Sequence, residues 1–252
     1  MLNNENFLIQ KNRISNEYFN LNKSYNGIGT LSEKILHRII KFFIDDNPLN
    51  HEIKIGQYFV DIMSNNTIYE IQTRSFNKLR PKLDFLLSKT DYSVKIVFPI
   101  PYEKNICWIN KDTKELISKR KSPKTGTIYD SILELYKIKS YLKNENLKFI
   151  FLFINLDEYR NLDGWDKTKK KGSTRYERIP NEFISSIEIN KKEDFKILIP
   201  NNITDTFTNK DFQKEAKTNL RIASTCTNIL LSLGLIKQAG KCGRMNLYKI
   251  EL

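Results

Sequence analysis

The segment Gly56-Gln-Tyr-Phe-Val-Asp61-Ile-Met-Ser-Asn-Asn-Thr-Ile-Tyr-Glu70-Ile-Gln72 governs how the rest of the chain is understood. Tyr58 to Met63 and Thr67 to Thr73 are two runs rich in β-branched, aromatic and long apolar residues, so both are expected to be strands. Asn65-Asn66 between them suits a two-residue hairpin turn, because Asn tolerates the positive φ that such turns need. That register sets Asp61 directly opposite Glu70, with Cβ atoms about 5 Å apart, where like charges repel. Gln72 shares the face of Glu70, since strand side chains repeat every second residue. Apolar residues on both faces (Tyr58, Val60 and Ile62; Phe59 and Met63) indicate a strand pair covered on both sides. A divalent cation would reconcile two facing acids in such a setting. The competing explanation is a surface hairpin carrying ordinary scattered acids.

Upstream, Gly27 to Phe43 has the spacing of an amphipathic helix, with Leu31, Ile35, Leu36, Ile39, Ile40, Phe42 and Phe43 as its apolar positions. Glu33 lies in its first turn. Thr30-x-x-Glu33 also matches a capping box, which would account for Glu33 without any chemistry.

A helix bearing Glu, a strand ending in Asp, a strand carrying Glu-x-Gln, then a helix and a strand: this succession resembles the PD-(D/E)XK, or restriction-endonuclease-like, nuclease superfamily. The likeness runs from Thr30 to Pro101 and includes His51 to Ile55 as a first strand, a helix over 76–88 and a strand over 94–100. It implies an α/β fold, a mixed β-sheet flanked by helices. It also implies that Asp61, Glu70 and the Ile71 carbonyl hold Mg²⁺ (or Mn²⁺), that Glu33 assists through water, and that Gln72 positions water or phosphate. One departure stands out: the superfamily usually has Lys where this chain has Gln72. Arg74 on the same strand, or Lys78, Arg80 or Lys82 on the following helix, are the candidates to supply the missing positive charge.

Composition narrows the partners. The chain has 252 residues, 40% of them hydrophobic and 12% aromatic, enough for one large domain or a medium one plus a small one. Its formal charge of +13 favours a polyanionic partner. Abundant Lys, Asn and Ile suggest an AT-rich bacterial genome, but Lys-for-Arg drift leaves charge unchanged. Cys107, Cys226 and Cys242 have neither zinc spacing nor a disulfide framework. Of the two histidines, His37 follows Glu33 by one turn and is read as a packed helix residue within reach of the site. Met1-Leu-Asn-Asn-Glu lacks the features of a signal peptide, and no apolar run reaches transmembrane length. The expectation is a cytoplasmic protein with no membrane association.

Three regions follow. Residues 1–26 are polar and Asn-rich, an arm or a loosely packed helix. Residues 27–200 form the nuclease-like domain, continuing with a short strand over 106–110, a helix over 127–142, a buried strand over 147–156 and an ambiguous segment over 184–189. Two stretches are expected to be basic loops. Ser118 to Gly126 carries Lys119, Arg120, Lys121 and Lys124. Asp163 to Arg178 carries Lys169, Lys170, Lys171 and Arg175. Cations mixed with Ser, Thr and Gly suit contact with a phosphate backbone; a solvated flexible loop is the plainer alternative for either one alone. The Ser-x-x-Lys-Ser-Pro-Lys pattern in the first is similar to one in a group of bacterial nuclease-like proteins without a settled substrate.

After a linker over 200–204, residues 205–252 are similar to a winged helix-turn-helix. Thr208 caps one helix with Asp211 near its start. A second helix runs from Asn219 to Leu233 with Leu220, Ala223, Ile229, Leu230 and Leu233 inward, and Gly234 ends it. Two short strands flank Gly240 to Arg244. The resemblance implies that the second helix enters the major groove with Thr218, Asn219, Arg221, Ser224, Thr225 and Asn228 outward, while Lys241 and Arg244 touch phosphate. From Phe207 onward eight Lys or Arg face three Asp or Glu, which favours DNA over a protein partner.

Together these features lead to the expectation of a metal-dependent DNA endonuclease, in restriction or another DNA-processing role. A homodimer is the usual arrangement for cutting both strands. The alternatives are a non-catalytic DNA-binding regulator with a degenerate nuclease core, and a structure-specific or RNA nuclease.

Overall fold

The computed structural model of the chain describes residues 2–24, 34–164 and 174–251. Glu33, Lys169, Lys170 and Lys171 lie outside them. The architecture is α/β: a large mixed sheet flanked by helices, in the order β1 (His51–Ile55), β2 (Tyr58–Ser64), β3 (Thr67–Ile71), β4 (Ser93–Ile109), β6 (Leu147–Asn161), β7 (Thr174–Ile189), with β5 (Leu116–Lys121) on β4, and a separate sheet in the order β8 (Thr206–Thr208), β10 (Met245–Ile250), β9 (Ile236–Cys242). The chain forms two compact units. Met1–Ser64, Pro99–Gly126 and Leu152–Ser186 make the first; Asn65–Phe98, Thr127–Phe151 and Ile187–Leu252 make the second.

In the first unit, α1 (Asn4–Ser24) turns the polar N-terminal segment into a helix that packs on α2 (Ile35–Ile44). Phe7 and Ile14 are fully buried, and the Phe7 ring meets Phe43 edge-on at 5.0 Å. Phe7 and Ile14 fall seven apart, on one face of a helix that is otherwise largely polar. Phe183 completes the cluster, 5.1 Å from Phe43. The hairpin of β1 (His51–Ile55) and β2 (Tyr58–Ser64) turns at Gly56, whose φ of 59° suits its lack of a side chain. Its register pairs Ile53 with Val60 and Ile55 with Tyr58. Val60 and Ile62 are fully buried, whereas Phe59 on the opposite face is 60% exposed. Cover on both faces of β2, expected from the sequence, therefore fails at Phe59.

In the second unit, β3 (Thr67–Ile71) pairs in parallel with the start of β4 (Ser93–Ile109), Glu70 opposite Ile96. Parallel neighbours need a crossover. A 3₁₀ turn over Phe76–Leu79 and α3 (Arg80–Lys89) supply it. Asn65 and Asn66 both have positive φ, 48° and 60°, the backbone expected of the two-residue link between β2 and β3. The expected helix over 127–142 is broken: 3₁₀ turns at Ile128–Ser131 and Lys139–Tyr141 flank a short α4 (Ile132–Lys137).

The strand over 106–110 is the end of the much longer β4. Two segments expected as loops are partly strand. β5 (Leu116–Lys121) is an exposed strand antiparallel to β4, with Arg120 opposite Ile106. β7 (Thr174–Ile189) absorbs the end of the second basic stretch and the ambiguous segment over 184–189, while β6 runs Leu147–Asn161. The β-branched and long residues of Leu-Ile-Ser-Lys-Arg-Lys accept extended backbone as readily as coil once β4 offers free hydrogen-bonding groups.

The C-terminal part of the second unit is β8 (Thr206–Thr208), α5 (Asn209–Glu215), α6 (Leu220–Leu233), β9 (Ile236–Cys242) and β10 (Met245–Ile250). Phe207, Phe212 and Tyr248 form its core, with the Phe207 ring 6.1 Å from Phe212 and 5.9 Å from Tyr248. Gly234 closes α6 at φ 72°. Leu220, expected inward, is 47% exposed, and Cys226 and Thr227 are buried in α6 instead. All three cysteines are free thiols. Among the described residues no helix is long and apolar enough to cross a membrane.

Candidate functional site

Asp61 belongs to the first unit; Glu70, Ile71 and Gln72 belong to the second. On β2, Asp61 points away from the buried Val60/Ile62 face, and its carboxylate meets His37 of α2, Oδ1 to Nε2 at 3.3 Å. His37 thus reaches a candidate site residue. The helix expected to run from Gly27 to Phe43 begins only at Ile35, after an extended Lys34 at its N-cap, so His37 itself lies in the first turn of α2.

Glu70 shares the buried face of β3 with Ile68, and only 3% of its side chain is exposed. A carboxylate cannot be held there without compensation. The ammonium of Lys82, on the first turn of α3, provides it at 2.5 Å from Oε1. Of the four cations considered to replace the missing strand lysine, Lys82 is the one brought to Glu70. Arg74 falls beyond the end of β3 at Ile71, so strand alternation no longer aims it, and it is exposed. Lys78 is exposed, and Arg80 donates through Nε to the Lys137 carbonyl at 2.7 Å. Ile71 is buried and pairs with Val97; the backbone N–H of Gln72 donates to the Val97 carbonyl at 2.9 Å, which leaves the Gln72 side chain half-buried at the strand end.

Carboxylate and carbonyl oxygens are what Mg²⁺ takes, and it is commonly held by one or two carboxylates with water and substrate completing the shell. Among the described residues no group of three or more His, Cys, Asp or Glu is arranged to hold a metal. The third acid of the expected set, Glu33, is not among them.

The basic strand β5 is exposed along its length, but its cations are not equivalent. Lys119 donates to Asp157 Oδ2 at 2.7 Å, and this bond raises its pKa. Burial pushes Asp157 up, yet hydrogen bonds from Lys119 and Asn105 hold it below the ordinary carboxylate value. Lys121 pairs with Glu103 at 2.8 Å. Arg120, between them, points to the other side of the strand. Lys124 follows in the turn after β5. Arg175, on β7, sits 3.3 Å from Glu158.

On α6 the expected outward residues divide. Asn219 is the N-cap, its side-chain oxygen accepting from the Ile222 N–H at 2.9 Å. Thr225 gives its hydroxyl to the Arg221 carbonyl at 2.7 Å. Asn228 accepts from Lys139 at 2.8 Å. Ser224, Thr225 and Asn228 line a polar groove of about 310 Å³ with Tyr136 and Tyr248. Arg221 is exposed and Thr218 half-buried at the N-terminal end; Lys241 near the end of β9 and Arg244 in the turn to β10 are exposed. Sequence periodicity identified the outward face, but it could not show that α4 lies against the middle of that face.

The chain belongs to the family described as Domain of unknown function (DUF8091), whose model matches residues 34–190. It is 26% identical over 170 residues to an uncharacterized protein of Treponema pallidum (strain Nichols), a match covering 67% of this chain and 64% of that protein. No solved structure matches it.

Proposed function

We propose that the chain is a metal-dependent DNA endonuclease of the restriction-endonuclease-like class, with residues 205–252 acting as a winged helix-turn-helix that holds DNA. The observation that carries the proposal is the ammonium of Lys82 at 2.5 Å from the buried Glu70. The superfamily's usual lysine is absent from the position of Gln72, and a cation nevertheless stands beside the glutamate. The antiparallel β1–β2 hairpin followed by β3 in parallel with β4 supports the same reading. For the C-terminal part the support is the order β8-α5-α6-β9-β10 and the three-stranded sheet it builds.

Asp61, Glu70 and the Ile71 carbonyl would hold Mg²⁺ or Mn²⁺, which when bound lowers the pKa of water and stabilises charge on the scissile phosphate. Lys82 pairs with the Glu70 carboxylate and offers a positive charge to a phosphate oxygen. Gln72 has a donor and an acceptor and can orient water, but adds no charge. His37 holds Asp61. Arg120, Lys124 and Arg175 bind backbone phosphates, and Arg221, Lys241 and Arg244 dock the C-terminal part.

The test is cleavage of supercoiled plasmid, methylated and unmethylated, with Mg²⁺ or Mn²⁺. Cutting by the wild type that disappears in both Asp61→Ala and Glu70→Ala is the expected result. One observation favours a second reading: Lys82 is already paired with Glu70, an arrangement that also suits a non-catalytic DNA-binding regulator with a degenerate nuclease core. DNA binding without cutting at any metal concentration would select that reading. Cutting confined to RNA would replace the substrate.

A further inference from the structure

A second concentration of charge in the first unit is centred on Glu158 of β6. The Glu158 side chain has no exposed surface, and four cations converge on it. Arg160 donates to Oε1 through Nε at 2.8 Å and also through Nη2. Arg178 donates to Oε2 through Nε at 2.9 Å. Arg175 stands at 3.3 Å from Oε2 and Lys104 at 3.8 Å from Oε1. The cations come from β4, β6 and β7, so the cluster is built by the sheet and not by one flexible loop.

Among the described residues the charges do not balance. One carboxylate neutralises one cation, and Arg160, Arg178 and Lys104 already outnumber it even with Arg175 set aside. The two neighbouring acids are engaged elsewhere. Asp157 is held by Lys119 and Asn105. Glu177 pairs with Lys34 at 3.6 Å and accepts from the Arg178 backbone N–H. The imbalance is felt at Lys104: burial pushes its pKa down, Glu158 pulls it up, and Arg178, Arg160 and Arg175 push it down again. Partly buried like charges held around one carboxylate repel one another. A fold that only needed to satisfy Glu158 would need one arginine.

Glu158 instead orients the guanidiniums. Arg178 uses one of its five donors on Glu158, and Lys104 at 3.8 Å is beyond hydrogen-bond distance. Fixed guanidinium forks beside an ammonium match a group with several anionic oxygens, and arginine forks bind phosphate in this way.

We propose that the Glu158-centred cluster of Lys104, Arg160, Arg175 and Arg178 is a phosphate-binding site, in which Glu158 positions the cations and a phosphate supplies the missing negative charge. The phosphate can come from a nucleic-acid backbone or from a small phosphorylated molecule. The site requires neither the metal nor cleavage.

The experiment uses the full chain in EDTA, so that any nuclease activity is silent. Affinity for a 16-base-pair duplex and for pyrophosphate is measured for the wild type, Arg178→Gln, Lys104→Gln and Asn155→Ser, the last a control on β6. Asn155 donates to Glu182 and accepts from the Glu103 N–H, outside the cluster. Loss of tenfold or more in affinity for either probe, in both cluster variants but not the control, is the expected result. Loss for the duplex alone assigns the site to the nucleic-acid backbone; loss for pyrophosphate alone assigns it to a small phosphorylated molecule. Unchanged affinity for both probes in folded Lys104→Gln, the milder variant, would overturn the proposal and leave the cluster a structural ion network. The nuclease reading fails separately, in the plasmid assay with Asp61→Ala.

Discussion

Lys82 of α3 places its ammonium 2.5 Å from Glu70 of β3, and only 3% of that glutamate side chain is exposed. The pair fixes the first turn of the crossover helix to the strand it covers. It also puts a cation beside the acid where the strand itself provides only Gln72.

Lys82→Met keeps the stem and removes the charge, leaving a buried carboxylate with less compensation. Breaking such a pair costs about 3 kcal/mol. Urea denaturation should show that loss at neutral pH. Plasmid cleavage should fall by about a hundredfold, the order general acid–base and electrostatic groups contribute. Lys82→Arg should recover most of the stability. Wild-type cleavage by Lys82→Met would remove Lys82 from the catalytic set.

Glu158 gives a pH dependence with a definite sign. Burial pushes its pKa up, but Arg178, Arg160, Arg175 and Lys104 outweigh burial and bring it from 4.5 down to about 2. A carboxyl depressed in the folded state stabilises the fold above its unfolded pKa and loses that contribution as pH falls through the folded one. The shift corresponds to about 3 kcal/mol. Urea midpoints should therefore decline between about pH 5 and pH 2. Glu158→Gln should start lower at neutral pH and decline less over that window. Parallel pH profiles for the two proteins would contradict the assignment.

The cations of β5 should differ in their effect on DNA. Lys119 and Lys121 are matched by Asp157 and Glu103. Arg120→Ala should lower the slope of log affinity against log salt by about 1, as for one lost phosphate contact. Lys121→Ala should change it less. Anisotropy titrations over a salt series provide the comparison; equal slopes for wild type and Arg120→Ala would take β5 out of the interface.

On α6, capping and contact can be separated. Asn219→Ala removes the side-chain bond to the Ile222 N–H and should cost about 1 kcal/mol of stability, while Asn219→Ser retains it. Arg221→Ala should leave thermal stability near wild type and weaken duplex binding. If Asn219→Ser weakened binding as much as Arg221→Ala, Asn219 would be a contact residue as well as a cap.

Gly126 has no room for a side chain. An added methyl would run into the Pro101 carbonyl oxygen, while the Gly126 N–H already donates to the Tyr102 carbonyl at 2.8 Å. Gly126→Ala should cost about 1–3 kcal/mol, the range for forced overpacking. A melting temperature equal to wild type would show that the backbone yields there.

Local pattern was legible where one short segment carried its own instructions. Asn65-Asn66 announced a two-residue link with positive φ, Thr208 with Asp211 a capping box, and Gly234 a helix end. The apolar spacing of Ile35 to Phe43 announced α2. Periodicity was less informative at the N-terminus, where Phe7 and Ile14 are buried on one face of a helix rich in Asn. It was misleading at β5, where a run of cations reads as a loop until β4 supplies backbone partners.

Residue pattern alone was enough for β2, β3, the Asn65-Asn66 turn, the Thr208 and Gly234 caps and the positive charge, because the local features depend on residues within a few positions of one another. Which cation stands beside Glu70, which acids already hold Lys119 and Lys121, and that Lys104, Arg160, Arg175 and Arg178 surround Glu158 were decided only by the tertiary structure. Those relationships join residues from 2 to 54 positions apart, and neither periodicity nor propensity carries information about which distant strand or helix a charged side chain will meet.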